Sequence, residues 1–480
     1  MHRYGQTCSA LTLALFLCLA AFQAAAESIW RDPFGAGGRT AAEPHLRWES
    51  NLPLPQVGSP EIAGELARNQ PLSLPELTEF ALRNNPRTRQ SWLAARAAAA
   101  GVGIEKADLL PQLTASYAVT RTQQVTNQGA IVPWQTRYGP SISLSYLLYD
   151  FGVRGFQIES SEYRLLAANL AHNRVLQDVV FAVEQAYYRL IGNDALVRVN
   201  VQSLKNAETA LEAVAKRRES GLATVADVYR AETLVAQARL NLTRSTGELE
   251  KSRGQLASVV GLPVNVSIAV RPLEAPPQTT EISASIGDLL TRAKASRPDL
   301  VAAEAQVRAS RASANAAARA GLPSIEVVGG SGRTSFNDNR PSASNYNIGL
   351  AVRIPIFTGF RETYSIRQAE AQAAAAEASR DALVREAEVE VWQGYYDLTT
   401  VSSSISSTEA QVRSAEQTAQ ATLARYQSGF GSILDLITAQ QDESNARVQR
   451  IQSYLDWFTT LARLQVAVGA SDLIKAGGGK

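Results

Sequence analysis

The sequence contains very few of the residues that most catalytic and metal-binding sites require. It has two cysteines and three histidines among 480 residues. Cys8 and Cys18 both lie near the N-terminus, and His45 and His172 lie far apart with no ligand-spaced or triad-like neighbour. We therefore expect no enzyme activity, no metal site and no cofactor.

An excess of charge of one sign and long apolar runs are also missing. Lys and Arg total 47 against 45 for Asp and Glu, and neither sign dominates a long segment. This balance argues against a nucleic-acid partner. Beyond the N-terminus, no stretch reaches the roughly 18 consecutive apolar residues that a membrane-spanning helix needs.

The N-terminal residues have the order of a secretory signal peptide. A basic start precedes an apolar run at 10–22, and a series of small residues ends at Ala26. This order predicts cleavage before Glu27 and export of the mature chain. Cys18 is a candidate for lipid attachment, but Leu17 before it is larger than the residue that lipoprotein processing accepts. We therefore expect no lipid anchor.

The rest of the sequence contains an internal twofold repeat. Pro86 recurs as Pro298 after 212 positions, whereas the pair at 220–221, Ser-Gly, recurs at 428–429 after 208 positions. The offset changes once, inside one short region. We therefore predict two units with the same order of elements, and a loop in that region that absorbs the difference in length.

One stretch of each unit alternates apolar residues with small or polar residues. The alternation is clear from 141 to 148, where the serines at 141, 143 and 145 alternate with the apolar residues at 142, 144, 146 and 148, and it recurs from 346 to 354. A period of two is typical of β-strands. Polar, turn-rich residues separate the alternating stretches, so each unit is predicted to hold one β-hairpin, at 112–150 and at 324–357.

Helix-forming residues dominate the remainder of each unit. No proline occurs from Val153 to Leu262, or from Arg361 to the end of the sequence. The motif Ser-Gly-x5-Asp interrupts each stretch once and indicates a helix end followed by a tight reversal. We therefore predict a helix before each β-hairpin and a helical hairpin after it, at 152–262 and at 360–468.

The predicted segments follow one another without overlap. They are a signal peptide at 1–26, an extended Pro- and Gly-rich arm at 27–72, repeat 1 at 73–270, a linker at 271–284, repeat 2 at 285–470 and a tail at 471–480. Each repeat opens with a capping-box signature, Ser73 with Glu76 and Ser285 with Asp288.

Four strands are too few to close a membrane barrel. The smallest such barrels have about eight strands, and an open edge in lipid leaves unpaired backbone groups that cost several kcal/mol each. If the apolar faces contact lipid, several copies must share one barrel, and a trimer would contribute twelve strands. A soluble sheet packed against the helices is the alternative.

The order of helix, β-hairpin and helical hairpin, written twice, resembles the TolC-like outer membrane factor family. The reversals at 221–227 and 429–435 and the strand-to-helix junctions at 147–152 and 355–359 carry this resemblance. It implies an α+β protein of the outer membrane, a homotrimer. Its twelve-stranded β-barrel, four strands per protomer, would sit in outer-membrane lipid and continue as an α-helical coiled-coil barrel in the periplasm.

The resemblance also implies a function and partners. The protein would be the outer-membrane channel of a tripartite export system, for small-molecule efflux or type I protein secretion. It would dock to a periplasmic adaptor and an inner-membrane transporter. A periplasm-spanning structural or adhesive protein without transport is the alternative, because long exposed helices could serve that role.

The resemblance further assigns residues to the periplasmic entrance. Asp227 and Asp435 match acidic residues that ring the entrance, and Tyr426 matches a tyrosine that helps to hold it shut. Gly431 and Thr438 depart from the family's other latch positions, which carry arginine and aspartate. The simpler alternative for both aspartates is helix capping, since each lies three residues after a Thr or Ser.

The tips of the two reversals are the expected docking points for the adaptor. These tips are Gly221 and Leu222 in repeat 1, and Gly429 and Phe430 in repeat 2. The simpler alternative for the two glycines is turn geometry alone.

Overall fold

The structure, a computed structural model, describes residues 71–123, 131, 133–271, 285–337 and 340–469. The predicted signal peptide and tail, nearly all of the predicted arm and the linker residues 272–284 lie outside this part of the chain. Among the described residues, no helix combines the length and the hydropathy that crossing a membrane requires.

The two halves of the chain contain the same elements in the same order. The first half comprises α1 (Leu74–Asn84), α2 (Pro86–Ala107), β1 (Gln112–Thr122), β2 (Gln135–Tyr149), α3 (Val153–Glu219) and α4 (Val225–Val260). The second half comprises α5 (Ile286–Ser296), α6 (Pro298–Arg319), β3 (Ser324–Phe336), β4 (Ala343–Arg353), α7 (Arg361–Gln427) and α8 (Ile433–Val468). Helices α3 and α7 have 67 residues each, so the structure contains the twofold repeat that the sequence predicts.

Each unit has two helices before its strands, where the sequence analysis predicted one. The break falls at Asn85 in the first unit and at Arg297 in the second, and both residues have extended backbone, with ψ of 127° and 119°. Each precedes a proline, whose ring excludes the helical conformation for the residue before it. The proline then occupies the first position of the next helix, where its missing N–H costs nothing.

The lengths of the two strand regions differ in two places. The connection between strands is longer in the first unit, at 123–134, than in the second, at 337–342. The connection from strand to long helix is longer in the second unit, because β4 ends at Arg353, before the predicted end of the hairpin at 357. Pro355 has no N–H to donate to a strand ladder, which is consistent with this early end.

The four strands form one antiparallel sheet in the order β1-β2-β3-β4. Leu113 lies opposite Leu144, and Val327 lies opposite both Tyr146 and Leu350, so most of the large apolar residues of the four strands share one face. The other face carries mainly serine, glycine and asparagine, together with Glu326 and Val328. In the described part of the chain, no helix packs across either face of the sheet.

The helices pack around α3. This helix contacts α2 and α6 along one part of its length and α4 and α8 along the other, while α7 packs against α6 and α8. Gly192 of α3 allows close packing against α8, because a Cβ there would lie 2.2 Å from a methyl group of Leu455. At about 1.5 Å per residue, α3 and α7 are each roughly 100 Å long.

Equivalent contacts close the two helix breaks. In the first unit, Asn85 Nδ2 donates a hydrogen bond to the Val259 carbonyl oxygen at 2.8 Å. In the second unit, Arg297 Nη1 donates to the carbonyl oxygen of Ala467, the matching position, at 3.3 Å. Each bond ties a break to the end of the last helix of its own unit. The repeat thus uses two different side chains for one structural task.

Arg297 carries a positive charge into the interior of the second unit. Its side chain is 2% exposed and binds Asp299 at 2.7 Å and also Glu390. Arg174 of α3 approaches the same aspartate at 3.7 Å, which connects the first unit to this cluster. Burial disfavours the charged form of Asp299, but the hydrogen bonds and charge of Arg297 outweigh burial and lower the pKa of this carboxyl.

Candidate functional site

The two helical hairpins turn at equivalent reversals. The Leu222 N–H donates to the Arg217 carbonyl oxygen at 2.8 Å, and Phe430 makes the equivalent bond at 2.9 Å. Each of these bonds joins an N–H to the carbonyl oxygen five positions earlier, as in the Schellman motif. This motif needs a residue with left-handed backbone conformation after the helix. Gly221 and Gly429 supply that residue, with φ of +70° and +90°.

Side chains project freely from both tips. Leu222 is 66% exposed and Phe430 is 82% exposed. A Cβ added to Gly221 or Gly429 would meet no atom within 4 Å, so these glycines serve the backbone conformation and no close approach requires them. Each reversal therefore presents one large apolar side chain on a turn that glycine makes possible.

Asp227 caps the helix that follows the first reversal. Its Oδ2 accepts hydrogen bonds from the Thr224 N–H at 2.9 Å and from the Thr224 hydroxyl at 2.8 Å. The Asp227 N–H donates in turn to the Thr224 hydroxyl at 3.2 Å, which completes the capping box. The backbone bond and then the hydroxyl bond lower the pKa of the Asp227 carboxyl, so this group is ionised at neutral pH.

Asp435 occupies the equivalent position with a different set of contacts. Its N–H donates to the Ser432 hydroxyl at 3.1 Å, so Ser432 caps the helix. The Asp435 carboxylate does not return the bond; it is exposed, and no side chain in the described ranges binds it. The structure thus engages the carboxylate of Asp227 in capping and leaves that of Asp435 available.

Tyr426 lies beneath the reversals in a cluster built from both hairpins. It is 3% exposed and packs with Val214 of α3, Val228 of α4 and Leu436 of α8. Burial raises the pKa of the Tyr426 hydroxyl. That hydroxyl is buried and has no hydrogen-bond partner among the described residues, so packing holds the tyrosine in place.

Arg217 joins Tyr426 from the other hairpin, and the sequence analysis missed it. Its guanidinium lies 4.7 Å from the centre of the Tyr426 ring and donates a hydrogen bond to the Tyr426 carbonyl oxygen. A cation over an aromatic face contributes about 0.5 to 2 kcal/mol, more as it is desolvated. Arg217 matches Arg425 at the repeat offset of 208, but Arg425 is exposed and makes no such contact within the described residues, so the repeat gave no signal for Arg217.

The structure brings some of the predicted residues together and leaves others apart. Asp227 is near enough to Tyr426 for its charge to contribute to the raised pKa of the tyrosine, whereas no described contact joins Asp435 to either. A Cβ at Gly431 would lie 3.1 Å from the Tyr426 backbone nitrogen. The glycine that departs from the expected arginine therefore makes room for the buried tyrosine.

Replacing Tyr426 with phenylalanine is expected to change the free energy of unfolding by less than about 1 kcal/mol, because the lost hydroxyl has no partner in the described structure. Tyr454→Phe is the matched comparison, since the Tyr454 hydroxyl donates to Glu409 at 2.7 Å. That change should cost about 1 kcal/mol or more. Chemical denaturation of both variants measures the difference, and an equal or larger loss for Tyr426→Phe would show that its hydroxyl does have a partner.

Comparison with known protein families matches both repeats. The model of a family described as "Outer membrane efflux protein" matches residues 77–262 and 289–470. One match falls on each repeat, so the comparison divides the chain where the internal repeat does.

Individual relatives cover most of the chain. Protein CyaE of Bordetella pertussis is 26% identical over 401 residues, which are 83% of this chain and 84% of CyaE. The pyoverdine export outer membrane protein OpmQ of Pseudomonas aeruginosa is 26% identical over 469 residues, which are 95% of this chain and 91% of OpmQ.

Solved structures share the fold. The outer-membrane channel OprN superimposes with a TM-score of 0.75 at 24% identity, over 83% of this chain and 90% of OprN. The outer membrane protein VceC of Vibrio cholerae gives a TM-score of 0.73 at 22% identity, over 83% of this chain and 96% of VceC.

Proposed function

This chain belongs to the outer membrane efflux protein family, and we propose that it forms, as a homotrimer, the outer-membrane duct of a tripartite export system. The observation that carries the proposal is the four-stranded sheet. One face of the sheet is apolar and exposed, with Ile348 at 81% and Tyr346 at 80% exposure. Its outer strands, β1 and β4, each pair on one side only within the described residues.

Assembly of three copies would account for both the exposed apolar face and the unpaired outer edges of β1 and β4. Pairing of β4 in one copy with β1 in the next would give the edge backbone groups their partners and close twelve strands into a barrel. The apolar face would then contact lipid. The opposite face, with serines such as Ser116 and Ser141 joined by a hydrogen bond of 2.8 Å, would line the channel.

The long helices would carry the duct into the periplasm. Helices of roughly 100 Å exceed the ~30 Å hydrocarbon core of a bilayer several times. The tips then lie far from the membrane and would meet the periplasmic adaptor that the export system requires, below which the inner-membrane transporter operates. Leu222 and Phe430 are the proposed adaptor contacts, held outward by Gly221 and Gly429.

Asp227, Asp435 and Tyr426 would stand at the periplasmic entrance of this duct. A trimer brings six carboxylates to one end, and a ring of carboxylates favours cations and binds multivalent ones. The carboxylate of Asp435 would contribute more to cation binding than that of Asp227, because the Asp227 carboxylate already accepts hydrogen bonds from Thr224. Tyr426 would fill the space between the hairpins beneath this ring.

Replacing Asp227 and Asp435 together with alanine is expected to weaken the block of the channel by a trivalent cation, measured as conductance of purified protein in planar bilayers. Asp435→Ala alone should account for most of the effect. Asp442→Ala, an exposed change further along α8, is the control and should leave the block unchanged. Unaltered block in the double variant would remove both aspartates from the entrance. No conductance by any form would favour the structural or adhesive alternative.

A further inference from the structure

We propose that Arg217 is a clasp between the two helical reversals of one protomer, and that losing this clasp loosens the periplasmic entrance. The inference rests on the proposed function, since it concerns how that entrance is held. Arg217 lies in the last turn of α3 and reaches across to the last turn of α7. It binds there through two different contacts on one residue, Tyr426.

The first contact is electrostatic and involves the end of a helix. The Tyr426 carbonyl oxygen lies among the last carbonyls of α7, where the helix dipole is negative and a cation is favourable. This oxygen also accepts the Gly429 N–H at 3.1 Å, a bond that shapes the second reversal. Arg217 and the turn of the other hairpin therefore share one acceptor, the Tyr426 carbonyl oxygen.

The second contact is the stacking of the guanidinium on the tyrosine ring at 4.7 Å. The planar guanidinium can donate in its own plane while one face covers an aromatic ring, which an ammonium group cannot do. Arg217 Nε is also buried, with no partner in the described ranges. The guanidinium is thus partly buried between the hairpins, and its position depends on both of them.

Arg217 is the polar link at this level of the two hairpins. Between 214–228 and 425–436, its hydrogen bond is the one side-chain bond that the described residues show across the hairpins. The remaining contacts are apolar, from Val214, Val228 and Leu436 around Tyr426. Apolar contacts tolerate sliding better than a directional bond does, so Arg217 fixes the relative position of the reversals.

The internal repeat provides a natural comparison for this clasp. Arg425 occupies the position equivalent to Arg217, but it is exposed and binds no side chain or carbonyl among the described residues. The position equivalent to Tyr426 is Arg218, which is also exposed and has no ring for stacking. In a ring of repeats, the clasp would therefore hold the junction inside each protomer and be missing from the junction between protomers.

The test compares Arg217→Met with two matched controls, Arg218→Met and Arg425→Met, in the full-length purified protein. Arg217→Lys keeps the charge and loses the planar group. One readout is conductance in planar bilayers. The other is the distance between spin labels on Glu219→Cys and Gln427→Cys, two exposed positions on the two hairpins. Labelling is specific because both native cysteines precede Glu27, where we expect the mature chain to begin.

We expect Arg217→Met to raise conductance severalfold and to broaden the label distances, Arg217→Lys to give intermediate values, and both controls to match the parent protein. Arg217→Met values equal to those of the controls in both readouts would overturn the clasp. If Arg217→Met fails to assemble, parent-like distances for Arg217→Lys would overturn it. Broadened distances in a protein that never conducts would support the clasp and contradict the proposed channel.

Discussion

Replacing Arg297 with methionine is expected to lower the free energy of unfolding by about 3–5 kcal/mol, the usual cost of removing one partner of a buried ion pair. Methionine fills much of the volume, but Asp299 loses its principal partner and the Ala467 carbonyl oxygen loses a donor. Asp299 is only 19% exposed, so water replaces these bonds poorly. The loss should appear in chemical denaturation followed by helical circular dichroism.

Arg311→Met is the control for this prediction. Arg311 pairs with Glu377 at 2.6 Å, but its side chain is 56% exposed, and exposed pairs contribute about 0–1 kcal/mol. Equal losses in the two variants would show that the Arg297 cluster is no more than a surface pair.

The pH dependence of the Arg297→Met effect has a definite sign. Because the folded protein lowers the pKa of Asp299, this group stabilises the fold above its unfolded pKa of about 3.9, and the contribution is lost as the pH falls through the folded pKa. In Arg297→Met, the hydrogen bonds and charge that oppose the effect of burial on Asp299 are gone, so the pKa of Asp299 should rise. The difference between the two proteins should therefore be largest near neutral pH and should shrink on acidification.

Replacing Ile348 with arginine is expected to prevent stable insertion into the outer membrane. An arginine on the lipid face of a transmembrane strand costs about 2–4 kcal/mol near the middle of the bilayer, and the cost recurs in every copy. Ile348 lies opposite Gly329 on the apolar face of the sheet and is 81% exposed. The fraction of protein recovered in outer membranes measures the effect.

Asn347→Arg is the matched comparison, because Asn347 is the preceding residue of the same strand and faces the opposite side of the sheet. This variant should insert normally and shift the selectivity of the channel toward anions. If Asn347→Arg inserted worse than Ile348→Arg, the two faces would have been assigned the wrong way round. Equal insertion of both would place the sheet outside lipid.

The sequence was most informative where the structure depends on local pattern. The period of two assigned residues 141–146 to the faces that the register of β1 to β4 shows, but a bulge after Leu147 places Tyr149 opposite Ile325, where the alternation predicted Leu148 on the apolar face. The Ser-Gly motif located both reversals. Local rules would also have predicted the helix break before Pro86, because a residue preceding proline resists the helical conformation.

The residues that the sequence analysis missed depend on distant contacts. Arg217 and Tyr426 are 209 positions apart, and Arg297 and Glu390 are 93 apart. No local pattern separates these two arginines from the many exposed ones. Spacing alone also treated Asp227 and Asp435 as equivalent, whereas only Asp227 returns the hydrogen bond of its capping partner. That difference depends on a side-chain rotamer, which sequence spacing does not specify.

The equal lengths of α3 and α7 would affect how many adaptor molecules bind if the adaptor docks at the reversals, as we propose. Both helices have 67 residues, so the two reversals of one protomer present the same backbone motif after the same axial distance. An adaptor that recognised this backbone alone would find two sites in each protomer, and the exposed side chains of Leu222 and Phe430 are one difference between these sites. If the adaptor recognises only one of these two side chains, it binds once per protomer. Exchanging Leu222 and Phe430 would then move the bound adaptor to the other reversal of the same protomer.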